Sequence, residues 1–240
     1  MWLLACDLDG TLLGGDRQDA KAFSQFIQSR PDIIFVVATG RPLDHALNGM
    51  KDYGLPKPQA MITSVGTEIH YGEALAPDHH WHDQQDALWD ELKILDALKE
   101  LPFLGSRGAQ HQGQFKIAFE GELSKDQVNT VKTSLAEQGF QLSTVYSHDW
   151  FLDLMPEGIN KATAILQVLK HFELPSSQCL VAGDSGNDTA MLTLPEAKGV
   201  LVANHLPEVN FLRQQAQIYC AEKNHAAGVM EGIDHWLAQS

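Results

Sequence analysis

Cysteine is scarce in this chain, with three in 240 residues: Cys6, Cys179 and Cys220. An odd count without close spacing excludes a disulfide framework and a Cys-based zinc site. Cys6 and Cys179 fall in apolar runs, so reduced core thiols and a cytoplasmic location are expected. Basic residues are also few, 17 Lys and Arg against 31 Asp and Glu, for a formal net charge of −14. That field repels nucleic-acid backbones and anionic bilayers, so neither is expected as a partner, and an anionic substrate must be drawn by a local cation. Long hydrophobic runs are missing too. Residues 1–6 are apolar but carry no basic leader, and they fall far short of the roughly 20 residues of a membrane span. What is present is ordinary globular composition, 44% apolar and 20% charged, which excludes general disorder. Against a prior of about 100 to 200 residues per domain, the length predicts one elaborated domain or a core carrying a small insert.

Four short continuous apolar runs stand out: residues 1–6, 33–38, 179–182 and 200–203. Each stops at a polar or glycine-containing turn, the pattern of strands buried on both faces of a parallel sheet. Helical periods at 20–28 and 162–172 alternate with them. The expected fold class is therefore α/β, a doubly wound parallel-sheet (Rossmann-like) core whose unusual residues collect at the carboxyl edge. The middle reads differently. Residues 83–101 have helical spacing through Ala87, Leu88, Leu92, Leu95 and Leu98, 115–119 alternate like a strand, and 124–138 form a second helix capped by Ser124. Two further strands at 141–146 and 150–155 suggest a hairpin around Ser147-His148-Asp149. This predicts an inserted α+β cap at 79–154 between core segments 1–78 and 155–240. The His79-His80-Trp81-His82 run is expected to be linker rather than a metal clip.

Chemistry-bearing residues gather where the apolar runs end. In Asp7-Leu8-Asp9-Gly10-Thr11 the two carboxylates are two apart, so an extended backbone points them to one side. Gly183-Asp184-Ser185-Gly186-Asn187-Asp188 closes another run and delivers two more carboxylates. Such a concentration of negative charge suits Mg²⁺, which takes hard oxygen ligands, and phosphoryl chemistry. Thr39-Gly40-Arg41 offers a hydroxyl and a backbone N–H to a phosphate oxygen, and Asn160-Lys161 an ammonium.

These four elements stand in the order of the signature motifs of the haloacid dehalogenase superfamily of phosphohydrolases, which the chain resembles over nearly its whole core. A cap between the second and third motifs is similar to the sugar-phosphatase branch. Residues 63–70, Phe115-Lys116-Ile117, 153–156 and Asn224-His225-Ala226-Ala227-Gly228 resemble segments of the sucrose-phosphate phosphatases. The resemblance implies Asp7 as nucleophile forming an aspartyl-phosphate, and Asp9 as general acid and base. It implies Mg²⁺ held by Asp7, Asp9 and Asp184, with Asp188 acting through a bound water or Lys161. Thr39, Gly40 and Lys161 would neutralise the transferring group, and Asn187 would contact phosphate or metal.

Selectivity is expected in the insert and around Gly66, because the core sees only phosphate. Glu68, Lys116 and Asp153 are the expected sugar contacts by resemblance, beside the alternatives of Glu68 bracing a loop N–H and Lys116 as a solvated strand-edge charge. Residues 79–154 hold twelve Asp and Glu against six Lys and Arg, which suits a neutral polyol better than an anionic glycerate. Sucrose 6-phosphate is the expected substrate, with mannosyl- or glucosyl-3-phosphoglycerate and trehalose 6-phosphate as alternatives. A phosphomannomutase-like mutase and a phosphosugar-binding module without turnover are the remaining readings. Docking to a glycosyltransferase that makes the substrate fits such a pathway, although no motif demonstrates it.

Overall fold

The computed structural model describes residues 1–86 and 88–239. Eleven strands are present among them: β1 (Trp2–Cys6), β2 (Ile33–Ala38), β3 (Ala60–Thr63), β4 (Glu68–Tyr71), β5 (Ala76–Pro77), β6 (Ile117–Glu120), β7 (Leu142–Ser147), β8 (Phe151–Pro156), β9 (Cys179–Gly183), β10 (Lys198–Leu201) and β11 (Ile218–Cys220). The helices are α1 (Arg17–Gln28), α2 (Leu43–Tyr53), α3 (His79–Asp86), α4 (Glu91–Leu98), α5 (Lys125–Glu137), α6 (Lys161–His171), α7 (Thr189–Leu192) and α8 (His225–Leu237).

The larger sheet has the order β11-β10-β9-β1-β2-β3-β4-β5, parallel from β11 to β3 and antiparallel at β4 and β5. Alternation along β1 explains why its strands are apolar throughout. Leu3 and Ala5 join one buried cluster, with Ile165 and Val168 of α6 and Met191 of α7. Leu4 and Cys6 join the other, with Phe23 of α1, Met50 of α2 and Val229 and Ile233 of α8. Both faces are thus covered, as the continuous apolar runs require. The expected doubly wound core is present.

The smaller sheet, β6-β8-β7, is antiparallel. With α4 and α5 it encloses its own apolar cluster, including Ile94, Ile117, Val131, Leu152 and Leu154. The expected single helix at 83–101 is two helices, because Asp90 starts a new one by accepting the Lys93 N–H at 3.1 Å. Ala87, one apolar position of that period, lies outside the described residues. The histidine run is not linker but the first turn of α3. That helix belongs to the larger sheet: Trp81 is in the main core, its Nε1 donates to the Gly66 carbonyl at 3.0 Å, and Gln85 Nε2 donates to the Thr67 carbonyl at 2.7 Å. Trp81 and Gln85 thus tie α3 to the larger sheet, while the apolar cluster of the smaller sheet is built from residues that follow α3.

Candidate active site

β2, β1 and β9 are adjacent and parallel, so the turns after them share one edge. This juxtaposes Thr39-Gly40-Arg41, Asp7-Leu8-Asp9 and Asp184 to Asp188, and the start of α6 supplies Lys161. The α6 terminus is set by its own residues. The Asn160 side chain accepts the Ala162 and Thr163 N–H groups at 2.8 and 3.1 Å, and Thr163 Oγ1 accepts the Asn160 N–H. A capping box of this kind is worth about 1 kcal/mol and fixes where Lys161 leaves the helix.

Lys161 is fully buried and donates from Nζ to Asp7 Oδ1 at 2.6 Å and to Asp188 Oδ1 at 2.7 Å. Burial works to strip its proton, but the two carboxylates outweigh it and hold the ammonium above its ordinary range. Asp188 is occupied on both sides, because its Oδ2 accepts the Asp184 and Ser185 N–H groups at 2.9 and 3.1 Å. Asp184 accepts from Thr11 Oγ1 at 2.8 Å. Oxygens of Asp7, Asp184 and Asp188 lie within 4.8 Å of one another, all three residues buried. Burial first, then neighbouring carboxylates, pushes Asp184 up to about 8 against the pull of Thr11 and Lys161. Asp7 is raised in the same way, with Lys161 opposing. Were all three ionised against the one ammonium, two negative charges would stand uncompensated, and the raised Asp7 and Asp184 carboxyls express that deficit, which is the demand a divalent cation meets.

Asp9 is not part of that cluster. Its carboxylate is gripped from two sides by Arg41, Nε to Oδ2 at 2.7 Å and Nη2 to Oδ1 at 2.5 Å, which raises the Arg41 guanidinium further, chiefly through this hydrogen bond. The geometry thus leaves Asp9 only its main chain for a metal. The turn between Asp9 and Thr11 is itself held: Gly10 has φ of +80° and packs its α-carbon against the Asp184 carboxylate, where a side chain has no room. The Gly10 carbonyl meets Asn204 Nδ2 at 2.6 Å and His225 Nδ1 at 2.8 Å. Thr39 is buried and its Oγ1 accepts the Arg41 N–H at 3.2 Å.

Above this floor lies a cavity of about 440 Å³, onto which Asp7, Asp9, Gly40, Arg41 and Asn187 open from below. Asn187 Oδ1 is buried and has no protein partner. The roof comes from the smaller sheet and its loops, with Lys116, Asp153, Phe151, Ser147, His111 and His148 among its residues. Lys116 Nζ donates to the Gly40 carbonyl at 3.0 Å and lies 3.2 Å from Asp153 Oδ1, both residues almost wholly buried. His111 packs against Phe151 with ring centroids 4.8 Å apart. Burial holds its imidazolium below the ordinary 6.5, against an upward pull from Glu120 at 3.7 Å.

Two expected substrate contacts sit elsewhere. Glu68 is taken up by its own hairpin: Thr63 Oγ1 donates to Oε2 at 2.8 Å, and His70 Nε2 is 3.5 Å away. Burial raises this carboxyl, but His70, Thr63 and Ser64 outweigh it and hold it below 4.5. Its partners are side-chain hydroxyls and an imidazole of that hairpin, in place of the loop N–H of the alternative reading. Gly66, with φ of +105°, packs against the Asn160–Lys161 backbone and supports the cation rather than lining the cavity. Sequence reasoning passed over Arg41, although it stands beside Thr39 and Gly40 as the cation nearest a strand end. It also passed over His111, His148 and Phe151, for which no local pattern gives a signal.

A buried aspartate at the first strand tip, flanked by a helix-borne lysine and two further carboxylates at the neighbouring tip, is the constellation expected of a phosphohydrolase site. The family model described as sucrose-6F-phosphate phosphohydrolase matches residues 1–237, and the chain belongs to that family. The sucrose-phosphatase of Synechocystis sp. PCC6803, solved with sucrose and phosphate, is similar at a TM-score of 0.90 and 29% identity, over 98% of this chain and 97% of that one. The mannosylfructose-phosphate phosphatase of Agrobacterium fabrum is 28% identical over 98% of this chain and 96% of its own length. The glucosylglycerol-phosphate synthase of Pseudomonas anguilliseptica is 30% identical over 98% of this chain, which spans only 30% of that protein.

Proposed function

We propose that the chain is a Mg²⁺-dependent sugar-phosphate phosphatase, with sucrose 6-phosphate as its substrate, working through an aspartyl-phosphate on Asp7. The observation that carries this reading is the buried Asp7–Lys161–Asp188 chain opening onto a cavity roofed by groups of little net charge. Asp7 attacks phosphorus through a carboxylate oxygen, and the bond from phosphorus to the sugar oxygen breaks. Lys161, Thr39 and the Gly40 N–H stabilise charge on the transferring phosphoryl group. Asp9 gives its proton to the departing sugar oxygen, then takes one from the water that attacks the phosphoryl-aspartate, restoring Asp7 and releasing phosphate. Arg41 grips both Asp9 oxygens, so this exchange needs the pair to part, and the substrate's phosphoryl oxygens compete for the guanidinium. Mg²⁺ would rest on Asp7, Asp184 and the Asp9 main-chain carbonyl, with Asp188 orienting Lys161 and the 184–185 backbone. When bound, the cation offsets negative charge on phosphate and carboxylates.

The insert after α3 acts as the cap that selects the sugar. In the roof Lys116 and Asp153 neutralise each other, leaving imidazoles, a hydroxyl, an amide and the Phe151 ring, a surface suited to an uncharged polyol with an apolar C–H face. A second phosphate or a glycerate carboxylate finds no spare fixed cation there among the described residues, which weighs against the mutase and phosphoglycerate readings. The similarity to a mannosylfructose-phosphate phosphatase along almost its full length makes that disaccharide phosphate the second candidate. The synthase relative carries a similar stretch inside a longer chain, which supports docking of this protein to the glycosyltransferase that makes its substrate, testable by co-purification. Among the described residues no helix is long and apolar enough to cross a membrane, and the three free thiols suit a reducing compartment such as the cytoplasm.

The deciding experiment is phosphate release with Mg²⁺ and with a chelator, from sucrose 6-phosphate, mannosylfructose phosphate, trehalose 6-phosphate, mannosyl-3-phosphoglycerate and glucose 6-phosphate in parallel. Chelator-sensitive release led by sucrose 6-phosphate is expected. Preference for an anionic glycerate overturns the reading of the roof, and no release from any of them overturns the phosphatase.

A further inference from the structure

The roof meets the floor at two lips. At one, Lys116 reaches the Gly40 carbonyl, and Gly113 lies so close to Ser64 that a β-carbon there would stand 2.9 Å from its hydroxyl. At the other, the β7–β8 hairpin descends on the loop that carries Asp184, Asn187 and Asp188. Its tip residues, His148 and Asp149, hold left-handed backbone with φ of 58° and 50°. Gly186 lies against the Tyr146 carbonyl, 3.3 Å from where its own β-carbon would be.

Between hairpin and loop stands Glu208, in the 3₁₀ helix Pro207–Gln214. A single oxygen of this half-buried side chain, Oε1, accepts the Gly186 N–H at 2.6 Å and faces the His148 N–H at 3.4 Å. One amide belongs to the floor and the other to the roof. Glu208 does not line the cavity and touches no reacting group.

We propose that Glu208 is a positioning residue, a clasp that closes the roof onto the loop bearing Asp184, Asn187 and Asp188. The unequal lengths give the two bonds different duties. The short charge-assisted bond to Gly186 keeps Glu208 with the floor, and the long bond to His148 parts when the roof lifts to admit substrate or release product. Closure and the seating of Asn187, the residue directly after Gly186, thereby form together. The proposal rests on the sugar-phosphatase reading, because only a substrate that fills the roofed cavity needs the clasp.

The test compares Glu208→Ala with Glu208→Gln, which keeps an oxygen acceptor while losing the charge. For sucrose 6-phosphate, Glu208→Ala is expected to lower kcat/KM by about tenfold or more, with the loss chiefly in KM, and Glu208→Gln to recover most of it. p-Nitrophenyl phosphate, too small to depend on the roof, should lose no more than about threefold in either variant. Hydrogen exchange without substrate should speed up across residues 146–151 in Glu208→Ala and stay near the unmodified rate in Glu208→Gln. Equal losses on both substrates would make Glu208 a brace of the metal loop alone and overturn the proposal, as would unchanged exchange in Glu208→Ala. If the unmodified protein hydrolyses p-nitrophenyl phosphate but no sugar phosphate, the functional reading fails by itself. The exchange measurement then decides the clasp.

Discussion

The floor of the cavity gathers buried charge at the tips of parallel strands, whereas its roof sets a buried, self-neutralising Lys116–Asp153 pair among more accessible uncharged groups on an antiparallel sheet and its loops. The floor concentrates three carboxylates around one ammonium, an arrangement that is unfavourable unless a cation and a phosphate complete it. The roof pairs its one lysine with its one aspartate and leaves its imidazoles and its phenyl ring free to meet a sugar. Two kinds of selectivity follow from this division. On the proposed reading, charge is met below by buried groups and shape above by the smaller sheet and its loops.

The largest effect should come from the floor. Asp7→Asn is expected to cut phosphate release by more than about a thousandfold while leaving the circular dichroism spectrum and cooperative melting in place, since the nucleophile is lost and the shape kept. Retention of a substantial rate by a clean preparation would sink the covalent scheme. Lys161→Met should remove turnover and also cost about 3–5 kcal/mol of stability, because Asp7 and Asp188 lose their shared buried partner. Denaturant titration checks the second part, and an unchanged midpoint would mean that the pair contributes nothing to folding.

In the roof the effects should be smaller and substrate-dependent. Lys116→Met or Asp153→Asn alone is expected to lower kcat/KM for sucrose 6-phosphate by about 10- to 100-fold, with a much smaller change for p-nitrophenyl phosphate. Each single variant leaves a buried charge unpaired, so the double variant should be more stable than the sum of the two single losses implies. Additive losses in thermal melting would show that the pair is not coupled. The smallest effect concerns Glu68. Its carboxyl is held lower in the folded protein than the ordinary 4.5, so it stabilises the fold above that pH and the contribution fades as pH falls through the folded value. Glu68→Gln should therefore flatten the acid limb of stability below about pH 5 while leaving turnover near its original level. A large drop in turnover for this variant would return Glu68 to the sugar site.

The same contrast explains what the amino-acid string reveals unaided. β1, β2 and β9 are readable because strands buried on both faces are apolar almost throughout, and the floor residues follow them within a few positions, whereas β10 begins at Lys198-Gly199 and only its second half falls in the apolar run 200–203. β4 escapes notice because Glu68-Ile69-His70-Tyr71 mixes polar and apolar residues near the antiparallel end of the sheet. β3 and β11 span only four and three residues. The break between α3 and α4 is hidden because apolar spacing runs through it, while the decision is made by Asp90 as a cap and by Trp81 packing on the main core. In the roof, Lys116 and Asp153 are legible through the resemblance, but His111 and Phe151 are not, because they come together through the pairing of β6 with β8 and the course of a loop, a neighbourhood that exists only in three dimensions. Glu68 shows the converse error, in which a motif marks a side chain as important and the fold spends it on its own hairpin.

The central place of β1 also bears on how the enzyme is made. β1 pairs with β2 within the first 38 residues, but its other neighbour, β9, is at 179–183. Asp7 and the lysine that steadies it are 154 positions apart. In synthesis Asp7 precedes Lys161 by that whole separation, so this buried pair cannot form until the intervening segments have been made. The middle of the sheet closes only when a late strand is threaded beside its earliest one, a non-local step of the kind that slows folding. The contact between Asp7 and Lys161 therefore depends on a segment made long after β1, and the pairing of β1 with β2 does not by itself build it.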